Sequence, residues 1–353
     1  MMSNIPIAVD RLNQFVIDLT QKAGLPEEQA RILSDTLIEA DLKGIRTHGM
    51  LRLPIYVKRM ETGAVNVKEE MAVVREAGTV RQLDARNGLG QVACFRGMGL
   101  AIARAEEFGL GACGVFNSNH CGALGYYTDL ATEKKMIGIM TTNVFPLMAP
   151  KGGKEKVVGN NPLALSVPRR EGPPITYDVA TSTVSYGKVL TFLRRGEKIP
   201  LDWVLDGKGL PTDNPEELIS RRGSMTPFAG HKGYGLAFVL EILAGVLTGA
   251  AFGQGLHSLY DADHFAGLGQ FLMAINIENF MEPEVFFQRL EEWINEVKFS
   301  PLAADSSEIL VPGELEQRSK RENMETGLVY DEALLKEIDL LAEKYSMEPL
   351  GKK

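Results

Sequence analysis

The stretch RAEEFGLGACGVFNS, residues 104–118, decides what kind of α/β protein this chain forms. It contains a G-x-G-x-x-G pattern from Gly109 to Gly114, which binds a dinucleotide only where a strand precedes it and a helix follows. Here the order is reversed, because a helical pattern over 91–108 precedes the glycines and an apolar strand pattern over 112–116 follows. We therefore predict that Gly109 ends a helix in a tight turn and that the stretch is not a Rossmann phosphate loop.

Strand and helix patterns alternate on both sides of this stretch, which predicts an α/β fold with a mixed or parallel sheet. Strands are predicted at 71–74, 81–83, 112–116, 137–142, 163–167, 175–179 and 271–277. Helices are predicted at 9–23, 26–42, 50–61, 91–108, 124–135, 284–297 and 332–345.

The two ends of the chain are helical in pattern, whereas the middle carries the strands. We expect residues 1–70 to form a helical N-terminal segment that packs with a C-terminal helix over 313–353 as a smaller lobe. Residues 71–312 are then the α/β body.

Composition excludes several classes of protein. The formal net charge of -8 argues against nucleic-acid binding, which usually shows a basic surplus. The three cysteines are sparse and form no C-x-x-C pair, which indicates a reducing compartment and argues against disulfides or a zinc cage. No signal peptide is evident at the N-terminus, so a cytoplasmic protein is expected.

The apolar stretch over 234–252 raises the question of a membrane span. Glu241 lies at its centre, and a carboxylate is costly in hydrocarbon. We therefore predict a buried core helix and no membrane association.

Two of the five histidines lie in glycine-rich, polar surroundings. His48 lies in KGIRTHG (43–49), and His120 lies in NSNHCG (117–122). Arg52 is four residues beyond His48, so the two side chains would share a helix face. Imidazoles suit proton transfer near neutral pH, and a guanidinium suits a carboxylate, so this pattern predicts an enzyme that handles a small anion.

A second pair of histidines, His257 and His264, flanks the sequence Tyr260-Asp261-Ala262-Asp263. A metal site is conceivable there, but such polar residues are more often solvent-exposed loop residues. No metal site is expected.

The chain resembles the type-2 malate/L-lactate dehydrogenases, a group that includes ureidoglycolate and sulfolactate dehydrogenases and reductases of diketogulonate and piperideine-2-carboxylate. The resemblance runs from 40–44 to 312–314. Its strongest blocks are THG (47–49), NSNH (117–120), MAP (148–150), GNNP (159–162), DVATS (178–182) and KGYG (232–235). It implies a homodimer with a non-Rossmann fold that binds NAD or NADP.

The resemblance also implies roles for site residues. His48 matches a proton donor that bonds through the neighbouring hydroxyl, here Thr47, toward the aspartate matching Asp178. His120 matches a histidine with acid-base work in the ureidoglycolate branch, and the choice between the two histidines stays open. Arg52 matches a substrate-binding arginine, and Tyr56 is expected to hydrogen-bond the substrate.

Cofactor contacts are implied at four places in the chain, and helix position supports one of them. His231 and Lys232 open the long apolar helix, whose free N–H groups favour phosphate. Arg318 and Arg321 would either favour NADP or form a solvated helix face. The residues expected to contact the cofactor are Val144, Asp178, Val179, Ala180, His231, Lys232, Gly313, Glu314 and Leu315.

The expected reaction is hydride transfer between the nicotinamide and the 2-oxo or 2-hydroxy position of a small carboxylic acid such as malate, lactate or sulfolactate. Gln254, where the ureidoglycolate branch carries a basic residue, argues against that branch. Two alternatives stay open, namely reduction of a cyclic imine carboxylate of the piperideine-2-carboxylate type and a non-catalytic binding protein of the same fold.

Overall fold

The strands join into one large mixed sheet and one small sheet. The computed structural model describes residues 6–68, 70–219 and 222–351. Its strands are β1 (Ala72–Ala77), β2 (Val80–Asp84), β3 (Leu110–Ser118), β4 (Met136–Thr142), β5 (Leu163–Val167), β6 (Ile175–Val179), β7 (Val204–Leu205), β8 (Pro211–Thr212), β9 (Ser224–Met225) and β10 (Leu268–Asn276). The large sheet has seven strands in the order β1-β2-β3-β10-β4-β5-β6, and the small one has the order β8-β7-β9.

The strand directions bring the ends of distant segments to one edge of the large sheet. β2 and β3 are parallel, and the other neighbouring pairs are antiparallel. The carboxyl ends of β2, β3, β4 and β6 therefore lie at the same edge, together with the beginnings of β5 and β10. The residues that follow β3, β4 and β6 include His120, Val144 and Ala180, so this edge is where a site would be built.

The helices cover the sheet and both ends of the chain. They are α1 (Val9–Lys22), α2 (Glu27–Leu42), α3 (Leu53–Thr62), α4 (Gly90–Phe108), α5 (Gly125–Thr132), α6 (Tyr186–Arg195), α7 (Glu216–Ile219), α8 (His231–Glu241), α9 (Pro283–Lys298), α10 (Glu314–Thr326) and α11 (Glu332–Lys344). The C-terminal segment, predicted as one helix over 313–353, is thus two helices.

The predicted order of helix, glycine turn and strand is confirmed. α4 ends at Phe108, and Gly109 follows in the left-handed conformation with φ 84°, its N–H bonded to the Ala105 carbonyl at 2.9 Å. Glycine is the residue that adopts this conformation without a steric penalty. β3 begins directly after it, so the G-x-G-x-x-G pattern does not open a helix.

Both termini contribute to one hydrophobic cluster. Leu12 of α1, Leu33 of α2 and Leu53 of α3 pack in the same cluster as Leu328 and Ile338 from the C-terminal segment, and all five are buried. The side chains of the helical segments thus bury their apolar faces against each other.

A separate hydrophobic cluster surrounds the small sheet, and the strands of that sheet were not predicted from the sequence. Val189 of α6, Val204 of β7, Met225 of β9 and Ala237 of α8 are buried together. The strands of the small sheet have only two residues each, which is too short for an alternating pattern of apolar and polar residues.

The helix predicted over 234–252 is buried on only one face, so the prediction of a fully buried core helix is wrong. α8 continues as a π-helical turn over Ile242–Val246, and Glu241 points inward, accepting bonds from Asn161 Nδ2 at 2.7 Å and the Gly253 N–H at 3.1 Å. The apolar residues exposed on the other face include Phe238, Val239, Ile242, Val246 and Leu247. Within the described ranges, none of the helices combines the length and the apolar character that a membrane span requires.

Candidate active site

A cavity of about 350 Å³ lies at the sheet edge where β3, β4 and β6 end. The short loop after β3 supplies His120, and the 3-10 turns between α2 and α3 supply His48 and Arg52. The predicted site residues that line the cavity are Thr47, His48, Arg52, His120, Val144, Asp178 and Ala180. The helical segment and the α/β body thus both contribute to one enclosed space.

The two histidines face each other in this cavity. The His48 and His120 rings are stacked, with centroids 5.6 Å apart and an angle of 12° between the planes. Thr47 Oγ1 lies 3.0 Å from His48 Nδ1, so the hydroxyl bonds the imidazole as the resemblance implies.

Hydrogen bonds at His120 fix its neutral tautomer. The Gly122 N–H donates to His120 Nδ1 at 3.3 Å, so Nδ1 is an acceptor and the ring proton is on Nε2. The Tyr56 oxygen lies 2.6 Å from the same nitrogen and donates to it in this state. Tyr56 is buried, with 2% of its surface exposed. Its hydroxyl contacts the histidine, in contrast to the substrate contact expected from the sequence.

Arg52 is held rigidly at the cavity wall. Its Nε donates to the Thr47 carbonyl at 2.6 Å, and Nη1 donates to the Tyr260 hydroxyl. The guanidinium carbon also lies 5.6 Å from the centre of the Tyr260 ring, in a cation–π contact. A guanidinium fixed in this way is pre-organised for a carboxylate.

Burial keeps both imidazoles neutral. Burial, together with the positive charge of Arg52, lowers the pKa of His48 to about 4. Burial also holds the pKa of His120 well below its ordinary value, with contributions from the charges of His48, Arg52 and Arg59. Desolvation disfavours the charged imidazolium, which explains both directions.

Asp178 lies at the end of β6, on the wall of the same cavity. Its Oδ2 accepts the Gly125 N–H at 2.8 Å, while burial raises its pKa to about 6. Among the described hydrogen bonds, Thr47 reaches His48, but none joins Thr47 to Asp178. Asp178 instead anchors the start of α5.

Two further hollows continue from the cavity toward α10. Asp178 and Glu316 line both the cavity and a hollow of about 50 Å³, and Gly313 and Gln317 line both that hollow and a third of about 210 Å³. Together they form a groove that runs from the histidines to α10. An elongated space with an imidazole pair at one end fits a dinucleotide with its reactive ring beside the histidines.

The predicted cofactor residues are divided among three places. Val144, Asp178 and Ala180 line the cavity, whereas Gly313 and Glu314 line the part of the groove near α10. The remaining ones line none of these spaces: His231 and Lys232 are exposed at the start of α8, Leu315 is exposed on α10, and Val179 lies in β6.

Sequence reasoning missed two segments that line the cavity. One is Ser185–Gly187, at the start of α6, and the other is the loop with His257, Leu259 and Tyr260. The loop was expected to be surface-exposed, and no spacing rule connects Tyr260 with Arg52, 208 residues away. The only sequence signal for this part of the site was an aromatic residue, Tyr260, between the histidines His257 and His264.

Known proteins are similar to this chain in sequence and fold over nearly their whole length. Residues 7–339 match the family model described as malate/L-lactate dehydrogenase. The malate dehydrogenase of Pyrococcus abyssi is 38% identical, over 98% of this chain and 96% of that protein. The malate/(S)-sulfolactate dehydrogenase of Methanothermus fervidus is 35% identical, over 97% of this chain and 98% of that protein.

A solved structure agrees with these sequence matches. The sulfolactate dehydrogenase of Methanocaldococcus jannaschii superposes with a TM-score of 0.91 at 36% identity, covering 99% of this chain and 98% of that one. Such relatives imply a nicotinamide cofactor and a small acid substrate. The chain therefore belongs to the malate/L-lactate dehydrogenase family and is a 2-hydroxy acid dehydrogenase.

Proposed function

We propose that this enzyme moves a hydride between a nicotinamide and C2 of a small 2-oxo or 2-hydroxy acid, with His120 as the proton donor and Arg52 as the carboxylate ligand. The observation that carries the proposal is the bonding of His120 Nδ1 to the Gly122 N–H and the Tyr56 hydroxyl. These bonds orient the ring and leave Nε2 to exchange a proton with the substrate oxygen.

The chain's own residues perform the other parts of the reaction. The nicotinamide, when bound, supplies or accepts the hydride. Arg52 holds the substrate carboxylate, which places C2 and its oxygen beside the imidazoles. During reduction, His120 gives a proton to the oxygen that becomes the hydroxyl, and during oxidation it takes that proton back.

Substrate binding and protonation are coupled through Arg52. Its positive charge contributes to the low pKa of both histidines. A substrate carboxylate on Arg52 cancels that charge and adds a negative one near the ring, so the pKa of His120 rises and the imidazolium is favoured when the substrate is present. The Tyr56 hydroxyl, which donates to neutral Nδ1, then turns to accept from Nδ1–H.

His48 serves as a neutral neighbour that orients the substrate oxygen, with Thr47 setting its ring. The test is the kinetics of His120→Gln against His48→Gln. We expect His120→Gln to lower kcat by ~10²–10⁴ and His48→Gln to raise KM with a smaller loss of kcat. Retained melting temperature and retained stabilisation by NADH are the controls. Near-native turnover of His120→Gln would overturn the assignment.

The substrate class is a 2-oxo acid, because the relatives named above are malate and sulfolactate dehydrogenases. A panel of oxaloacetate, pyruvate, sulfopyruvate and piperideine-2-carboxylate tests this and includes the cyclic imine alternative. We expect oxidation of the reduced cofactor with an acyclic 2-oxo acid. A faster rate with the imine would favour the alternative, and stabilisation by NADH without turnover would favour a non-catalytic binding protein.

The preferred cofactor is NAD, with NADP as the alternative. Arg318 and Arg169, which line the far hollow, already form paired bonds with carboxylates: Arg318 with Glu308, and Arg169 with Glu291 at 2.9 Å for both bonds. A 2′-phosphate would compete with those carboxylates. The Asp178–Ala180 and Gly313–Leu315 segments lie along this groove and contact the nucleotide. His231 and Lys232, expected from the sequence to bind phosphate, lie outside the groove and have no part in this proposal. The ratio of kcat/KM for NADH and NADPH tests the preference.

A second copy of the chain covers the exposed apolar face of α8, so the enzyme is a homodimer. Phe238, Val239, Val246 and Leu247 are each more than half exposed there, and such a contiguous patch marks an interface. Leu247→Glu is expected to give a monomer in light scattering, whereas wild type is a dimer. A monomeric wild type would contradict this.

We also place the enzyme in the cytoplasm, because Cys94, Cys113 and Cys121 are all free and buried. Thiols of this kind suit a reducing compartment. Cell fractionation with an activity assay tests the location.

A further inference from the structure

The loop between the short turn Gly253–Gly255 and β10 brings two imidazoles to one carboxylate. His257 Nδ1 lies 3.2 Å from Asp261 Oδ2, and His264 Nδ1 lies 3.0 Å from each Asp261 oxygen. The two rings are stacked, with centroids 4.8 Å apart and an angle of 12° between them. One nitrogen or oxygen atom from each of the three residues lies within 4.8 Å of the others.

These separations are those of hydrogen bonds, and they are also close to the separations of metal ligands. Zinc binds imidazole nitrogen and carboxylate oxygen at about 2.0–2.2 Å, so ligand atoms at the corners of a tetrahedron lie roughly 3.3–3.6 Å apart. The nitrogen–oxygen distances of 3.0–3.2 Å are within a few tenths of an ångström of this spacing. A small opening of the cluster would therefore admit an ion, with water completing its coordination.

The loop that carries the three residues is held from beneath by α3. Arg59, which is 1% exposed, donates to the carbonyls of Leu259 at 3.4 Å and His264 at 3.1 Å, and also to the Asp261 carbonyl. Thr62 Oγ1 donates to the Ala262 carbonyl at 2.6 Å. A braced backbone fixes the positions of the ligands before an ion binds, which lowers the entropic cost of binding.

We propose that His257, Asp261 and His264 bind one divalent transition metal ion of the Zn²⁺ or Co²⁺ type. Two imidazoles and one carboxylate are ligands that these ions favour, and they leave positions open for water. Binding of this ion is a property separate from the dehydrogenase activity described above, and the ion takes no part in hydride transfer. Because Tyr260 on the same loop bonds Arg52, the ion holds the segment that supports the substrate-binding guanidinium.

The test is titration of the full chain with Co²⁺ after removal of metal with EDTA. We expect one equivalent of Co²⁺ to bind, with the weak visible absorption of nitrogen and oxygen ligation and without a thiolate charge-transfer band. Zn²⁺ should displace it. Absence of stoichiometric binding, or a thiolate band that points to the cysteines, would overturn the proposal.

Variants assign the ion to this cluster. His264→Ala and Asp261→Asn are each expected to weaken Co²⁺ binding at least tenfold, while Asp263→Asn, which removes the same charge two residues away, leaves it unchanged. His264 is 62% exposed in its side chain, so its variant should fold, and an unaltered melting temperature in EDTA verifies this. Equal weakening in Asp261→Asn and Asp263→Asn would show mere charge attraction and refute the site.

Discussion

The Tyr56 hydroxyl lies 2.6 Å from Nδ1 of His120, inside the protein and away from the cavity. The Gly122 N–H approaches the same nitrogen at 3.3 Å and can only donate. The hydroxyl is therefore the one of these two partners that can also accept, and it is able to bond His120 in both protonation states. Tyr56 is thus a positioning residue that acts through His120.

Tyr56→Phe should lower kcat about tenfold while changing KM for the 2-oxo acid less than twofold, because the ring keeps its packing and only the bond to His120 is lost. The pH profile of kcat should shift as well, which a purely structural change would not produce. Tyr126→Phe, on the neighbouring helix α5, is the control. A lower melting temperature with an unchanged pH profile would argue for a packing role alone.

Arg52 is expected to bind the substrate carboxylate in two separable ways, through its positive charge and through the paired N–H groups of its planar guanidinium. Arg52→Gln removes both, and we expect KM for the 2-oxo acid to rise by about 10²–10³, the usual cost of losing a charged bidentate pair. Arg52→Lys keeps the charge, so KM should rise by only about tenfold.

The same pair of variants tests the coupling of Arg52 to the histidines. Arg52→Gln should raise the pKa of His48 above its value of about 4 in the wild type, because a neighbouring positive charge is removed. Arg52→Lys should leave it low. NMR titration of the histidine ring protons measures both. If Arg52→Gln and Arg52→Lys had the same His48 pKa, the proposed coupling between the Arg52 charge and the histidine would be refuted.

Much of the fold could be predicted because the periodic segments are long. β5 and β6 have the predicted bounds, and α4 and α11 differ from theirs by a single residue. The separation of α10 from α11 escaped prediction, since none of the residues of α10 is buried and no apolar stripe marks where that helix ends. The exposed face of α8 escaped prediction because an apolar run does not by itself indicate which of its residues the rest of the chain covers.

Spacing alone predicted the site only where its residues are near in sequence, whereas distant residues such as Asp178 were expected from the resemblance. His48 and Arg52 were expected to share a helix face; they lie instead on two successive 3-10 turns, Arg46–His48 and Met50–Arg52, and both line the cavity. The Tyr260 contact to Arg52 and the groove from Asp178 to Gly313 depend on tertiary packing, which local spacing does not encode. The position of Tyr56 behind His120 likewise required the structure.

Asp41 gives the fold a defined pH dependence. It is 1% exposed, and its Oδ2 accepts from the Met50 N–H at 2.9 Å and the Tyr330 hydroxyl at 2.8 Å. Burial nevertheless raises its pKa to about 6. The folded state therefore holds this proton more tightly than the unfolded state, and the resulting stability is present below about pH 4 and lost as the pH rises through 6.

Asp41→Asn removes this titration. The free energy of unfolding of the wild type, relative to the variant, should fall on the order of 2–3 kcal/mol between pH 4.5 and 7.5. Urea unfolding at both pH values measures it, and Asp305→Asn, at an exposed position, should show no such change. A pH-independent difference for Asp41→Asn would mean that the buried carboxyl titrates near its ordinary value.

Gly49, next to His48, is required for space. A Cβ at this position would lie 2.0 Å from Asp41 Oδ1. Asp41 cannot retreat, because the Met50 N–H and Tyr330 hold its carboxylate. Gly49→Ala should therefore destabilise the protein by about 2–4 kcal/mol.

Gly99 is the matched position, since it lies within α4 with no atom within 4 Å of an added Cβ. Gly99→Ala should stabilise the protein by about 0.5–1 kcal/mol, because alanine loses less backbone entropy in a helix. Thermal and urea unfolding of both variants should thus give changes of opposite sign. If Gly49→Ala were neutral, Asp41 would have to be free to move, and the pH dependence expected of its buried carboxyl would be absent as well.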